Sequence, residues 1–185
     1  QGDSSSSSFQ MNLNMSDFVF EDYRLGEISS NLRYKSGILN FRKIKGQIND
    51  SRYSGQLSVN LRKNTLFLVS KMPFLELQDI EQVFSIRTNV PVAVSGTGSA
   101  QLKANGPLDF NRLSYELESS FYRGSVAREP FDEFRFNVKS VEGMVEAEEI
   151  QLTRAESRIV LNGTVNPQGT MDIQIDGDNI QLEHS

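Results

Sequence analysis

Apolar and polar residues alternate along almost the whole chain, clearly in residues 9–15 and again in residues 53–61. A period of two is typical of β-strands that are apolar on one face only. The alternation is interrupted at pairs that adopt turn conformations easily, such as Ser36-Gly37, Asn49-Asp50 and Glu142-Gly143. We therefore expect an all-β protein of roughly a dozen strands, joined mainly by short turns into one long antiparallel sheet.

One segment departs from the period of two. In residues 73–84, Leu77, Ile80, Val83 and Phe84 follow the helical period, after a proline suited to a first helical turn. The pattern predicts one short helix near residues 74–84. Such a helix either covers an edge or end of the sheet, or plugs its apolar face.

The chain contains an internal repeat with an offset of 106 residues. The two similar segments are about 22–70 and 128–176, and they align without a gap. Similarity at a fixed offset predicts an array in which each unit packs mainly on its neighbours. The matched identities include Glu27 with Glu133, Asn31 with Asn137, Gly37 with Gly143, Ile44 with Ile150, Ser51 with Ser157, Arg52 with Arg158, Val59 with Val165 and Asn60 with Asn166.

The repeat also sets the expected domain organisation. Residues 9–185 are predicted to form a single repetitive β-domain, and residues 1–8 a flexible Ser-rich leader or a cloning remnant. The final strand-like segment, "NIQLEH", has no terminal cap, so we expect an internal section of a longer array.

Composition narrows the possible chemistry. The chain has 24 acidic and 19 basic residues and a net charge of -5, and we expect these charges to be scattered, without a basic stripe for nucleic acid. No apolar run has the roughly 20 residues of a membrane-spanning helix. Cysteine is absent and the single histidine, His184, is next to the last residue, so we expect no enzyme activity and no cofactor.

Two weaker motifs also have ordinary structural interpretations. The carboxylates at Glu146, Glu148 and Glu149 and at Asp172, Asp176 and Asp178 suit a solvated strand face. Calcium at the Asp176-Gly177-Asp178 turn is the alternative, but the full ligand spacing of a calcium loop is missing. The G-x-G at Gly96–Gly98 lacks the following helix and lysine of a phosphate loop, and its glycines suit a bent strand. We expect no metal site.

The apolar face of the strands remains the candidate for function. Period and turn spacing fit two arrangements equally well: a closed sandwich or barrel core, and an open groove whose apolar face is available to a ligand. The repeat favours the groove, because a sandwich closes after about 100 residues whereas a curled sheet extends by adding strands.

A family resemblance rests on three motifs in the second half of the chain. These are a Gly-rich strand leading to Gly106-Pro107-Leu108, an acidic strand entering I-x-L at Ile150, and a closing L-x-G-x-V strand at Leu161–Val165. Together with the surrounding strands, covering most of residues 18–182, they resemble the TamB branch of the AsmA-like, repeating-β-groove proteins of bacterial envelopes.

This resemblance implies a fold and a function. Members of the family form long open half-pipes (the β-taco fold) with a hydrophobic concave face, anchored in the inner membrane by a helix and crossing the periplasm of Gram-negative bacteria. They are thought to carry phospholipids between the two membranes. The TamB branch also works with an outer-membrane barrel partner, TamA, in a translocation and assembly module. For this chain the anchor and the TamA-like contact would lie outside the sequence.

Two other functions stay open. The chain could be a chaperone-like track that helps insert or secrete outer-membrane proteins such as autotransporters, binding unfolded chains by strand addition or apolar contact. It could also be a structural β-domain of a surface protein with a sealed core, which would bind neither lipid nor unfolded protein.

The lipid hypothesis predicts a set of apolar side chains that line the groove, none of them individually essential. They are Met11, Leu13, Met15, Ile28, Leu32, Ile44, Ile48, Leu57, Val59, Leu61, Phe67, Val69, Val92, Val94, Leu102, Leu117, Phe134, Phe136, Val138, Ile150, Leu152, Ile159, Leu161, Val165, Ile173, Ile175 and Leu182.

Overall fold

A computed structural model describes residues 8–20, 23–79, 93–109 and 112–179. Eleven strands make up nearly all of this part of the chain. They are β1 (Ser8–Phe20), β2 (Tyr23–Lys35), β3 (Ile38–Ile48), β4 (Ser51–Asn60), β5 (Thr65–Glu76), β6 (Val94–Pro107), β7 (Ser114–Val126), β8 (Glu129–Val141), β9 (Met144–Arg154), β10 (Ser157–Val165) and β11 (Met171–Asp178).

All eleven strands belong to one sheet, and their order in the sheet is their order in the chain. Every neighbouring pair is antiparallel. The sheet does not close into a barrel, because within the described residues β1 pairs only with β2 and β11 only with β10. The all-β antiparallel prediction is confirmed, and an open half-pipe is compatible with this topology.

Short hairpin turns keep neighbouring strands in register. Ser36 and Gly37, between β2 and β3, both have positive φ, as do Glu142 and Gly143 between β8 and β9. Two successive positive φ angles are typical of the type I′ turn, whose twist matches that of the flanking strands. Each turn was expected from its glycine, and each joins two long strands without breaking the ladder.

The repeat is visible in the strand boundaries. The bounds of β1, β2 and β3 become those of β7, β8 and β9 when 106 is added to each number. The irregularities repeat too: Asp17 near the end of β1 has a φ of 48°, and Arg123 in β7 has a φ of 49°. The correspondence therefore reaches back to β1, before residue 22, where the predicted repeat began.

The repeat loses its phase between its fourth and fifth strands. The pair of Val59 and Leu66 encloses six residues, 60–65, whereas the equivalent Val165 pairs with Met171 across only five residues, 166–170. The second turn is therefore one residue shorter, and the offset between the paired residues of β5 and β11 is 105 instead of 106. A shift of one residue moves every side chain of a strand to the other face.

A short helix is present within the predicted range of residues 74–84, but it begins at residue 77. Strand β5 continues to Glu76, and only residues 77–79 have helical geometry. Pairing of Leu75 and Glu76 with β6 extends the strand beyond Pro73. Residues 80–84 of the prediction lie outside the described residues, as do residues 1–7 of the predicted leader, whereas Ser8 begins β1.

Asp79 connects the end of this segment to the turn between β3 and β4. Its buried carboxylate accepts hydrogen bonds from Asn49 Nδ2 at 2.7 Å, from Ser51 N at 3.1 Å and from Ser51 Oγ at 2.5 Å. Ser51 Oγ in turn accepts the backbone N–H of Glu76 at 2.9 Å. This buried network holds residues 76–79 against β3 and β4.

We predict that Asp79→Ala lowers the free energy of unfolding by about 2 kcal/mol, because it leaves the Ser51 donors buried without their acceptor. Asp79→Asn is the matched control, since its amide oxygen still accepts one of these bonds and the loss is smaller. Urea unfolding followed by circular dichroism measures both. An unchanged midpoint for Asp79→Ala, or equal losses in the two variants, would contradict this role.

Candidate functional site: the apolar face

The register defines one apolar face that crosses the whole sheet. Directly opposed residues in an antiparallel pair point to the same side, so a chain of such pairs marks one face. One uninterrupted row of pairs runs from β1 to β11 through Met11, Leu32, Phe41, Leu57, Leu68, Ala104, Tyr115, Ser140, Val145, Val165 and Met171. We call the side occupied by this row the apolar face and the other side the polar face.

Most of the predicted groove residues lie on the apolar face. The same pairs, followed along each strand, place there Met11, Leu13, Met15, Ile28, Leu32, Ile44, Ile48, Leu57, Val59, Val94, Leu102, Leu117, Phe134, Phe136, Val138, Ile150, Leu152, Ile159, Leu161, Val165, Ile173 and Ile175.

Three of the predicted groove residues lie elsewhere. Phe67 and Val69 pair with Ser58 and Gln56, and so lie on the polar face, where an ungapped repeat had wrongly aligned them with Ile173 and Ile175. Leu61 lies in the turn after β4, where its backbone N–H bonds to the Gly37 carbonyl. Val92 and Leu182 lie outside the described residues.

One part of the apolar face is filled. Phe121 is fully buried, and it packs with Leu75, Leu77, Ala100 and Phe131 where β5 to β8 meet. Partly buried apolar side chains surround this cluster, namely Met72, Val94, Leu117, Val126, Phe134, Phe136 and Leu152. Leu77 belongs to the short helical segment, so this segment covers one end of β5 to β8.

The two outer parts of the apolar face are open. In β1, Phe9 and Met11 are 49% and 48% exposed, and in β11 Met171 and Ile175 are each 65% exposed. All described strands belong to one sheet, so no second sheet of the described residues packs on this face. Apolar surface left in water across several neighbouring strands is a feature of ligand or protein binding sites.

Tyr53 bridges three strands on this face. A Cβ at Gly46 would lie 1.9 Å from the Tyr53 ring, so only glycine in β3 leaves room for the ring. Beyond β3, the Tyr53 hydroxyl donates to the Leu25 carbonyl of β2 at 2.7 Å. Burial raises the pKa of Tyr53 to about 12. The tyrosine therefore fixes β2, β3 and β4 relative to one another.

Sequence reasoning missed several apolar-face residues. Leu66 and Leu68 were hidden in a run of four apolar residues, 66–69, which has no alternation to indicate a face. Phe121 was overlooked because Ser119 interrupts the alternation of β7, although Phe121 is two residues further along the same face. Phe9, Tyr34 and Tyr53 did follow the alternation and could have been included.

Charge is distributed unevenly along the chain, which corrects the expectation of scattered charges. From Arg24 to Lys71 there are ten basic and two acidic residues, whereas from Ser114 to Asp178 there are six basic and thirteen acidic residues. A cavity of about 670 Å³ across β1 to β4 has a lining mainly of polar-face residues, including Lys45 and Arg52. Its lining also includes Met15, Ile28 and Tyr53 of the apolar face.

Neither a metal site among the described residues nor a relative of the chain is found. Within residues 8–20, 23–79, 93–109 and 112–179, no three histidine or carboxylate side chains are grouped to hold a metal ion. In the same part of the chain, no helix has the length and the apolar composition needed to cross a membrane. Comparison with protein-family models, curated proteins and solved structures finds no match.

We predict that truncations on the filled and open parts of the apolar face differ sharply in cost. Phe121→Ala should lower the free energy of unfolding by about 3 to 5 kcal/mol, because it leaves a cavity in a packed cluster. Met11→Ala should cost only about 0.5 kcal/mol, since Met11 is half exposed. Urea unfolding of the two variants provides the test, and similar losses would contradict the division of the face.

A second prediction concerns pH. The pKa of Tyr53 is raised in the folded state, so its protonated form contributes stability that is complete below pH 10 and lost as pH rises from 10 to about 12. Tyr53→Phe should remove this contribution, so its stability should fall less steeply over that range. Urea midpoints measured at intervals of pH test this, and parallel curves for the two proteins would count against it.

Proposed function

We propose that this chain is a section of an intermembrane bridge that shelters phospholipid acyl chains on its apolar face during transport between the inner and outer membranes. The observation that carries the proposal is that one face of the sheet carries apolar side chains in all eleven strands. Neighbouring strands lie about 4.8 Å apart, so ten spacings give a surface about 48 Å long. A surface of that length contacts several acyl chains in succession.

The energetics suit movement along the sheet. Each methylene moved from water to an apolar surface contributes about 0.8 kcal/mol, and this contribution does not depend on direction. A lining of Leu, Ile, Val, Met and Phe therefore offers similar affinity from strand to strand. Polar-face residues next to the lining, such as Gln56 and Ser58, keep the opposite side of the sheet hydrated.

The family resemblance supplies the cellular context of the proposal. By this reading the chain works in the periplasm of a Gram-negative bacterium, within a TamB-like protein whose membrane anchor and TamA-like contact lie outside the sequence. Its role is binding and guidance, with phospholipid as ligand and without an enzymatic step or cofactor. The outer strands support the proposal because they leave the apolar face exposed at both ends of the strand order.

The test uses native mass spectrometry after incubation with vesicles of phosphatidylethanolamine and phosphatidylglycerol. We expect phospholipid to remain with the parent protein and to fall about tenfold in the double variant Leu57→Arg, Leu161→Arg, because an unpaired charge beside acyl chains is costly. The conservative variant Leu57→Ala should lose little, because many other side chains share the contact.

The matched control places the same two charges on the opposite face. Gln56→Arg with Asn162→Arg changes the adjacent residues of the same strands, both on the polar face. This control should retain lipid and should fold like the parent by circular dichroism. A lipid-free parent, or equal loss in the two double variants, would reject the proposal. Binding of a urea-unfolded outer-membrane barrel protein in its place would indicate the chaperone-like track.

A further inference from the structure

We propose that the outer edge of β1 is an acceptor site for an added antiparallel strand with the chemistry of β6. The structure contains its own template for this contact, because β7 is the repeat equivalent of β1 and pairs with β6 on the corresponding edge. Within the described residues, β1 has only β2 as a neighbour. The proposal depends on the repeat and is independent of lipid binding.

Over residues 9–15, β1 pairs with β2 in the same register in which β7 pairs with β8. Met11 pairs with Leu32 and Asn12 with Asn31 in the first unit, and adding 106 to each number gives the pairs of Leu117 and Glu118 with β8. Apolar-face positions match as well, with an aromatic residue at Phe9 and Tyr115. The edge that β6 occupies on β7 is therefore reproduced on β1.

Apolar side chains of β1 are more exposed than the equivalent side chains of β7. Met15 is the equivalent of Phe121, which is fully buried beside β6, yet Met15 is only half-buried. Met11 is 48% exposed, whereas its equivalent Leu117 packs against the buried cluster. A strand added to β1 would bring this edge to the condition of β7.

The template also specifies the side chains of the added strand. On the apolar face β6 presents Gly98, Ala100, Leu102 and Ala104 in succession. A Cβ at Gly98 would lie 2.1 Å from the Ser120 carbonyl oxygen of β7, so this position accepts only glycine. Adding a strand to β1 in the same way places the glycine opposite Met15 and close to the Asn14 carbonyl. The site thus requires small residues at defined positions.

Charge distinguishes β1 from the other outer strand. Residues 8–16 of β1 contain no charged side chain, which leaves this edge open to pairing. β11 presents Asp172, Asp176 and Asp178 on its polar face, and charged side chains on edge strands oppose pairing with other chains. β11 has also diverged in phase from β5, as described above, so β1 is the edge that retains its template.

The test is disulfide capture, in a buffer of reduced and oxidised glutathione that accepts the two electrons, with a synthetic peptide of residues 94–107 carrying Gln101→Cys. Gln101 is opposite Glu118 in β7, whose equivalent in β1 is Asn12. The protein has no cysteine, so Asn12→Cys introduces a single thiol. We expect this variant to form the mixed disulfide about tenfold faster than Gln10→Cys or Asn14→Cys, because directly opposed Cα atoms fit a disulfide and diagonal ones are too far apart.

Two controls isolate the site. Glu118→Cys should capture little peptide, because the edge of β7 is already occupied by β6. A peptide that also carries Gly98→Val should lose capture at Asn12→Cys, since its side chain meets the backbone. Circular dichroism verifies that each protein variant folds.

The outcomes are decisive for the acceptor site. Capture that peaks at Asn12→Cys and requires Gly98 supports it. Absence of capture, equal capture at residues 10, 12 and 14, or equal capture of the Gly98→Val peptide would overturn it. Because the assay contains no lipid, its failure leaves the lipid-binding test unaffected, and failure of the lipid test leaves this one unaffected.

Discussion

The structure depends on one constraint, which is that ten successive antiparallel ladders keep the same side-chain phase. Strands alternate their side chains with a period of exactly two, so each turn and each bulge must return the next strand with its apolar residues on the same side. The row from Met11 to Met171 satisfies this condition at every strand. Without it the apolar residues would be divided between the two faces, and no continuous surface would exist.

Bulges in the strands are compatible with this constraint because the apolar side chains lie on the same face before and after each of them. The ladder shifts near Lys43 in β3 and near Arg123 in β7, and both residues have positive φ. After each shift, the apolar residues that follow are again on the apolar face. Bulges of this kind increase local twist and bend the strand. They therefore let a long sheet curve while its two faces remain chemically distinct.

The sequence was sufficient to predict the class of fold and most of the apolar face, because both follow from local alternation. It failed where alternation carries no information. The run at residues 66–69 is apolar at every position, and only the pairing of Leu66 with Val59 decides which side chains share the face. The turn before β5 and the turn before β11 differ in length by one residue, and the apolar pattern does not reveal this difference. The repeat therefore gave the wrong face for side chains of β5.

The predicted helix shows a different limit. Leu77, Ile80 and Val83 have helical spacing, yet strand pairing with β6 extends β5 to Glu76. Local propensity is a weak prior when a neighbouring strand offers hydrogen bonds along its whole length. The carboxylate of Asp79 and the turn between β3 and β4 are nearly 30 residues apart in the chain, so their contact could not be read from spacing.

The mixture of filled and open surface gives the sheet two kinds of region. Around Phe121, close packing stabilises the centre, and Leu77 covers one end of the strands. Towards β1 and β11 the same face is exposed, and its side chains contribute less to folding than those around Phe121. Packed and exposed regions are thus separated along one continuous surface, so a change that affects one region need not affect the other.

Sheet order that follows chain order also has a kinetic consequence. Each strand pairs with the strand synthesised just before it, and only the connection between β5 and β6 is long, so most contacts close a loop no longer than one hairpin. Short loops carry a small entropic cost, and proteins dominated by local contacts fold quickly. A sheet of this kind can grow one hairpin at a time as the chain emerges, with each completed strand serving as the template for the next.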